Sequence, residues 1–98
     1  MKKILRRRGH GKTYDCIKLC IEQNAILVVP YQSHVSYVEC MARREFGREI
    51  QVVTMNDFVN KRLKGSKDLN FVFDDVEYCL QTLVGHNKII GLSMDMGD

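Results

Sequence analysis

Short apolar runs and amphipathic helical stretches take turns along this chain, and that alternation narrows the fold more than any other feature. The runs at residues 3–5, 25–29, 50–54, 71–74 and 88–92 are brief and mostly apolar, as strands buried on both faces are. Between them the apolar period lengthens from 2 to 3.6. Cys16, Ile17, Cys20 and Ile21 form one stripe of a helix over 12–23, with Asn24 as a left-handed cap. Val35, Val38, Met41, Ala42 and Phe46 line a second helix over 33–46, stopped by Gly47. Thr54 and Asp57 resemble a capping box with Asp in place of Glu, followed by Phe58, Val59 and Leu63 on a short helix that ends at Gly65. Val76, Cys79, Leu80 and Leu83 stand at i, i+3, i+4 and i+7 on a last helix that ends at Gly85. Strands that alternate with helices pair in parallel, because each crossover helix returns the chain to the same edge of the sheet. The expected fold is α/β: a three-layer α/β/α sandwich around a mainly parallel five-stranded sheet.

With 98 residues the chain is expected to form a single domain spanning 1–98. Hydrophobic residues at 45% and charged residues at 28% match a globular core and exclude a disordered or fibrous chain. No apolar run approaches the ~18–20 residues of a membrane span, and the opening MKKILRRRGH has no apolar stretch suited to a signal peptide. A cytoplasmic chain with no membrane partner is expected. Cysteines 16, 20, 40 and 79 include no CxxC pair, which argues against a zinc knuckle or a disulfide framework. Cys16 and Cys20 share a helical face at metal-ligand spacing, but without further ligands core packing is the expected role.

Charge is distributed unevenly. Residues 1–13 hold Lys2, Lys3, Arg6, Arg7, Arg8 and Lys12 and no acid, whereas acids outnumber bases in the remainder. The positive field therefore gathers at one end, where it either attracts phosphate or forms a solvated basic terminus.

The turn between the first expected strand and helix reads Arg6-Arg7-Arg8-Gly9-His10-Gly11-Lys12-Thr13. In a phosphate-binding loop of the form GxxxxGK[ST], glycines let main-chain amides wrap phosphate, lysine reaches the outer phosphates, and the hydroxyl ligates magnesium. Gly11, Lys12 and Thr13 supply the second half of that pattern, while Arg6 stands where its first glycine belongs. A second element agrees with the first. The apolar run that ends in Asp74 and Asp75 places adjacent carboxylates at a strand's C-terminal end, the edge where open α/β sheets bind ligands and where a hard cation wants oxygen. Asp74 and Asp75 also suit the plainer role of capping the helix that starts near Val76.

Together these motifs resemble those of P-loop NTPases, in particular the first RecA-type lobe of superfamily one and two helicases and the compact helicase-like P-loop proteins of bacteriophages. Val28-Val29-Pro30, Val53-Thr54 and Ile89-Ile90-Gly91-Leu92-Ser93 extend the likeness along nearly the whole chain. The resemblance implies an ATP and Mg2+ site in which Gly9, His10, Gly11, Lys12 and Thr13 cradle the nucleotide. It further implies that Thr13 and Asp74 hold the metal and that Asp75 takes the place of the catalytic glutamate. Aspartate is shorter by one methylene, and Glu77 lies a turn too far along to replace it. A motor of this class also needs an arginine from a second lobe or subunit. Arg43, Arg44, Arg48 and Arg62 are donors in principle, with nothing to select among them.

The expectation is a nucleoside triphosphate-binding, helicase-like single lobe serving phage DNA metabolism in the host cytoplasm, with hydrolysis that is weak or depends on a partner protein or a homo-oligomer. Its rival is a non-enzymatic module with a degenerate loop, in which the Arg6–Arg8 run binds DNA, RNA or protein. A third reading is an assembly factor whose nucleotide serves folding. His10 meets phosphate or solvent, and His34 and His86 have no recognisable partners. Tyr31 and Tyr37 with Arg43 and Arg44 read as an ordinary helix face rather than a base-stacking surface.

Overall fold

The computed structural model describes residues 11–60, 69–85, 87, 90, 91 and 93. Its elements run α1 (Lys12–Gln23), β1 (Ala25–Val29), α2 (Gln32–Phe46), β2 (Val52–Thr54), α3 (Met55–Asn60), β3 (Asn70–Phe73) and α4 (Val76–Val84). The three strands form one parallel sheet in the order β2-β1-β3. Register is set by Leu27 opposite Val52 on one side and Val72 on the other, and by Val28 opposite Val53 and Phe73.

β1 is the central strand, and all five of its residues are buried. Successive side chains of a strand point to opposite faces, so β1 feeds two cores. Ala25, Leu27 and Val29 pack with Cys16, Ile17 and Cys20 of α1 and Val38 and Ala42 of α2. Val28 points the other way, to Met55 of α3 and Cys79 of α4. Phe58 closes this second face edge-on against Phe71 and Phe73, with centroids 5.0 and 5.2 Å apart. Helices therefore cover both faces of the described sheet.

Helix ends follow local chemistry. Asn24 takes the left-handed conformation (φ 51°) and donates its N–H to Cys20 O, which closes α1 where the sequence places the cap. Gly47 does the same for α2, at φ 63°. The Thr54 hydroxyl accepts the Asp57 N–H at 3.1 Å, so one half of the expected capping box forms at the start of α3.

The five-stranded sheet is corrected by the structure, which has three strands among its described residues. In the run expected as a fifth strand, Ile90 and Gly91 carry no strand structure, and Ile90 is 97% exposed. An isoleucine has the preference of a strand residue but joins a sheet only when a neighbouring ladder takes up its N–H and C=O groups; Lys88, Ile89 and Leu92 lie outside the described residues. The expected strand at 3–5 and the tail of the third helix beyond Asn60, with Leu63 and Gly65, lie outside the described residues. Two strand boundaries also move. Ile50 packs on the core but precedes the ladder that β2 joins at Val52, and β3 runs one residue earlier than expected, from Asn70 to Phe73.

Two measurements check this core. Leu27→Ala removes a fully buried side chain from the central strand and is expected to lower stability by about 2–5 kcal/mol, read from the midpoint of urea unfolding. Burial also pushes the thiols of Cys16, Cys20 and Cys79 up to about 12, which keeps them protonated. Cys40 is exposed. Titration with an aromatic disulfide is thus expected to modify Cys40 promptly and the three buried thiols only as the protein unfolds; fast reaction of all four would contradict the packing.

Candidate functional site

The helix α1 begins at a residue that only glycine takes without strain. Gly11 sits at φ 84°, ψ 16°, and its carbonyl accepts the Asp15 N–H at 3.0 Å as the first helical bond. A Cβ on Gly11 would meet no atom within 4 Å, so the requirement comes from the backbone angle rather than from space. This turn places Lys12 and Thr13 in the first turn of α1, where free amides and the helix dipole favour an anion.

Across from them β3 ends. The Asp74 N–H donates to Val28 O at 3.0 Å, which carries the ladder one residue past Phe73 and fixes Asp74 at the carboxyl edge of the sheet. Asp75 follows in the left-handed region, at φ 53°, a conformation aspartate tolerates better than most residues. It stands at the N-cap of α4, yet its side chain makes no capping bond. Both carboxylates turn instead toward α1. The Thr13 hydroxyl donates to Asp74 Oδ2 at 2.8 Å, joining residues 61 apart in sequence. The Lys12 ammonium pairs with Asp75 Oδ1, and each side chain of this pair is about one-quarter exposed.

Asp74 itself is 3% exposed. Burial pushes its carboxyl above the usual carboxylate range and the Asp75 charge adds to that push, while the Thr13 hydrogen bond and the positive influence of Lys12 and His34 oppose it. Lys12 moves upward from the ordinary lysine value, chiefly through its hydrogen bond to Asp75, with burial working against the shift. Two thiols complete the surroundings of Asp74: Cys16 Sγ lies 3.9 Å from Oδ1, and Cys79 Sγ lies 3.4 Å from the main-chain carbonyl.

Gly11, Lys12, Thr13, Asp74 and Asp75 thus meet at one edge. Gly9 and His10, with Arg6 to Arg8, lie outside the described residues, as do His86 and Arg62. Glu77 is exposed on α4. Arg43 and Arg44 are exposed and pair locally with Glu49 and Glu45, at 4.0 and 3.1 Å. The Tyr31 ring stacks on His34 rather than presenting a bare face, with centroids 5.6 Å apart. Motif reading passed over His34, Cys16 and Cys79. His34 carried no motif, and the two cysteines carried only the signal of core residues.

A cavity of about 300 Å3 opens at the opposite edge, where α1 ends, between Cys20, Asn24, Ile26, Arg48, Ile50 and Leu69. Helix N-termini do not converge there, and the paired charges of the carboxyl edge are far along the strands from it. No helix among the described residues is long and apolar enough to cross a membrane. Comparison of the chain with protein-family models, curated proteins and solved structures yields no match.

A raised carboxyl in the folded state gives Asp74 a definite sign. The native protein holds this proton more tightly than the unfolded chain, so stability falls as pH rises out of the unfolded carboxyl range, and the full cost is present above the folded value. Asp74→Asn keeps an acceptor for Thr13 and removes the charge. It is expected to raise Tm by a few degrees at neutral pH, with the gain vanishing below about pH 4. A lower Tm for Asp74→Asn at neutral pH would contradict the burial penalty.

Proposed function

We propose that the carboxyl edge of the sheet binds a purine nucleoside triphosphate, with ATP as the reference ligand, together with Mg2+. The observation that carries this reading is the meeting of the Gly11-Lys12-Thr13 turn with Asp74 and Asp75 through the Thr13–Asp74 hydrogen bond and the Lys12–Asp75 ion pair. Asp75 makes no side-chain capping bond to α4 and the Asp74 carboxylate accepts from Thr13, so capping does not account for the pair.

The residues fit the metal. Thr13 and Asp74 bring a hydroxyl and a carboxylate oxygen to within 2.8 Å of each other. No group of three His, Cys, Asp or Glu side chains that could hold a metal ion occurs among the described residues. That is compatible with Mg2+, which is commonly bound through one or two protein oxygens plus phosphate and water rather than in an all-protein cage. When bound, the cation supplies charge neutralisation on the outer phosphates. Lys12 would exchange the Asp75 carboxylate for a phosphate oxygen, and the amides that open α1 would face the remaining charge.

Turnover by the chain alone is slow or absent in this reading. Asp75 is engaged by Lys12 and shorter than glutamate, and the exposed arginines of α2 are engaged at its own C-terminal end. Hydrolysis then waits on an arginine supplied in trans. The helicase-like resemblance of the motifs extends the proposal to a role in phage DNA metabolism.

Mg-ATP at about 100 times its dissociation constant is expected to add roughly 2.7 kcal/mol of stability, a rise of several degrees in Tm. Lys12→Ala is expected to abolish that rise while leaving the ligand-free protein folded, since a partly exposed ion pair contributes little to stability. An unchanged Tm with Mg-ATP would overturn the proposal.

A further inference from the structure

Helix α1 presents two donors to the buried Asp74 carboxylate, and the motif accounts for only one of them. Thr13 and Cys16 stand three residues apart, so both lie on the face of α1 that looks at the end of β3. The Thr13 hydroxyl donates to Oδ2 at 2.8 Å, and Cys16 Sγ lies 3.9 Å from Oδ1, within reach of the longer, weaker bond that a thiol makes. Both oxygens of one carboxylate are therefore addressed from a single helix turn. The main chain of Asp74 is held as well, with its N–H on Val28 O at 3.0 Å and its carbonyl facing the Cys79 thiol of α4 at 3.4 Å.

The two donors differ in depth. Thr13 is half-buried at the opening of α1, whereas Cys16 is 3% exposed one turn further in. Oδ2 therefore belongs to the open side of the site and Oδ1 to the core side. A carboxylate held at one oxygen can still swing about its side-chain torsions, and a second donor on the other oxygen fixes its plane. Core packing alone does not call for this contact. Cys20 is as buried as Cys16, belongs to the same core cluster and sits one turn, about 6 Å, further along α1 from the carboxyl edge.

We infer that Cys16 is a positioning residue for the metal half of the site, its thiol holding the Asp74 carboxylate so that Oδ2 faces the cation that accompanies the nucleotide. This inference rests on the nucleotide reading above. A buried thiol suits the task because it touches no ligand and, as a weak neutral donor, leaves the carboxylate its charge; a lysine or arginine there would neutralise it. Hydrogen-bonded partners of metal-binding side chains commonly account for roughly ten- to hundredfold of a site's metal affinity, and a sulfur donor belongs at the lower end of that range.

The test is calorimetric titration of the full chain with ATP, once with Mg2+ and once with a chelator, comparing wild type, Cys16→Ala, Cys16→Ser and Cys20→Ala. Cys16→Ala is expected to weaken binding of Mg-ATP by about tenfold and of metal-free ATP by less than about twofold, since Lys12 and the α1 turn grip phosphate without Asp74. Cys20→Ala removes an equally buried thiol and is expected to leave both affinities within about twofold of wild type. Cys16→Ser keeps a donor and is expected to regain most of the Mg-ATP affinity even though a buried hydroxyl lowers its Tm, an order that packing alone would reverse. If Cys16→Ala does not fold, Cys16→Val takes its place, filling the space without a donor. Equal losses for the two forms of ATP, unchanged Mg-ATP affinity, a serine no better than alanine, or the same Mg-specific loss in Cys20→Ala would overturn the role of Cys16 and leave the nucleotide site standing. A wild-type chain that binds ATP equally well with and without Mg2+ would overturn the metal and this inference, and one that binds neither form would overturn the whole site.

Discussion

Asp74 is the point on which the arrangement turns. Its carboxylate lies buried at the end of β3, a place an anion occupies only when polar groups gather around it. Thr13 donates to one of its oxygens, the Cys16 thiol lies near the other, and the Lys12 and His34 charges act on it from two different helices. Those groups come from α1 and α2, whereas Asp74 belongs to β3, so the parallel pairing of β1 with β3 is what brings them together. The main-chain bond from Asp74 to Val28 ties the acid directly to the central strand. Burial of this charge weakens the fold locally, as a site kept for a ligand often does.

The Lys12–Asp75 pair belongs to the same economy of charge. A partly exposed pair of this kind contributes only about 0–1 kcal/mol to stability. What it does is hold an ammonium beside the opening turn of α1 with a carboxylate as its counterion. In the proposed reading an incoming phosphate would replace one anion by another, so the lysine would not pass through an unpaired state. Asp75 takes a left-handed backbone to make this contact, and it forgoes the capping bond that its position before α4 would allow.

Much of this was legible in the sequence, for reasons that differ between elements. The helix over 12–23 and its Asn24 cap were readable because an apolar stripe and a left-handed residue are local signals. The buried run Ala25–Val29 declared a central strand by being apolar throughout. The juxtaposition of Thr13 with Asp74 followed from two motifs, each at the boundary of a strand and a helix. The sheet's width was not legible. The run at 88–92 has the composition of a strand, yet pairing depends on partners that composition does not specify, and of its described residues Ile90 stands exposed and outside the ladder. Cys16 and Cys79 read only as core thiols because a thiol that packs in a core and one that also approaches a carboxylate share the same helical spacing. His34 carried no motif. Its place near Asp74 emerges only once β1 and β3 are seen to be neighbours.

The proposed reading requires the carboxyl edge, and no other surface, to receive a polyphosphate. Amide NMR of uniformly 15N-labelled protein titrated with Mg-ATP tests it most directly. The largest shifts are expected at Gly11, Lys12, Thr13, Asp74 and Asp75, with Asn24, Arg48 and Gln51 at the opposite edge unmoved. Shifts centred on that opposite edge, or none at saturating nucleotide, would contradict it.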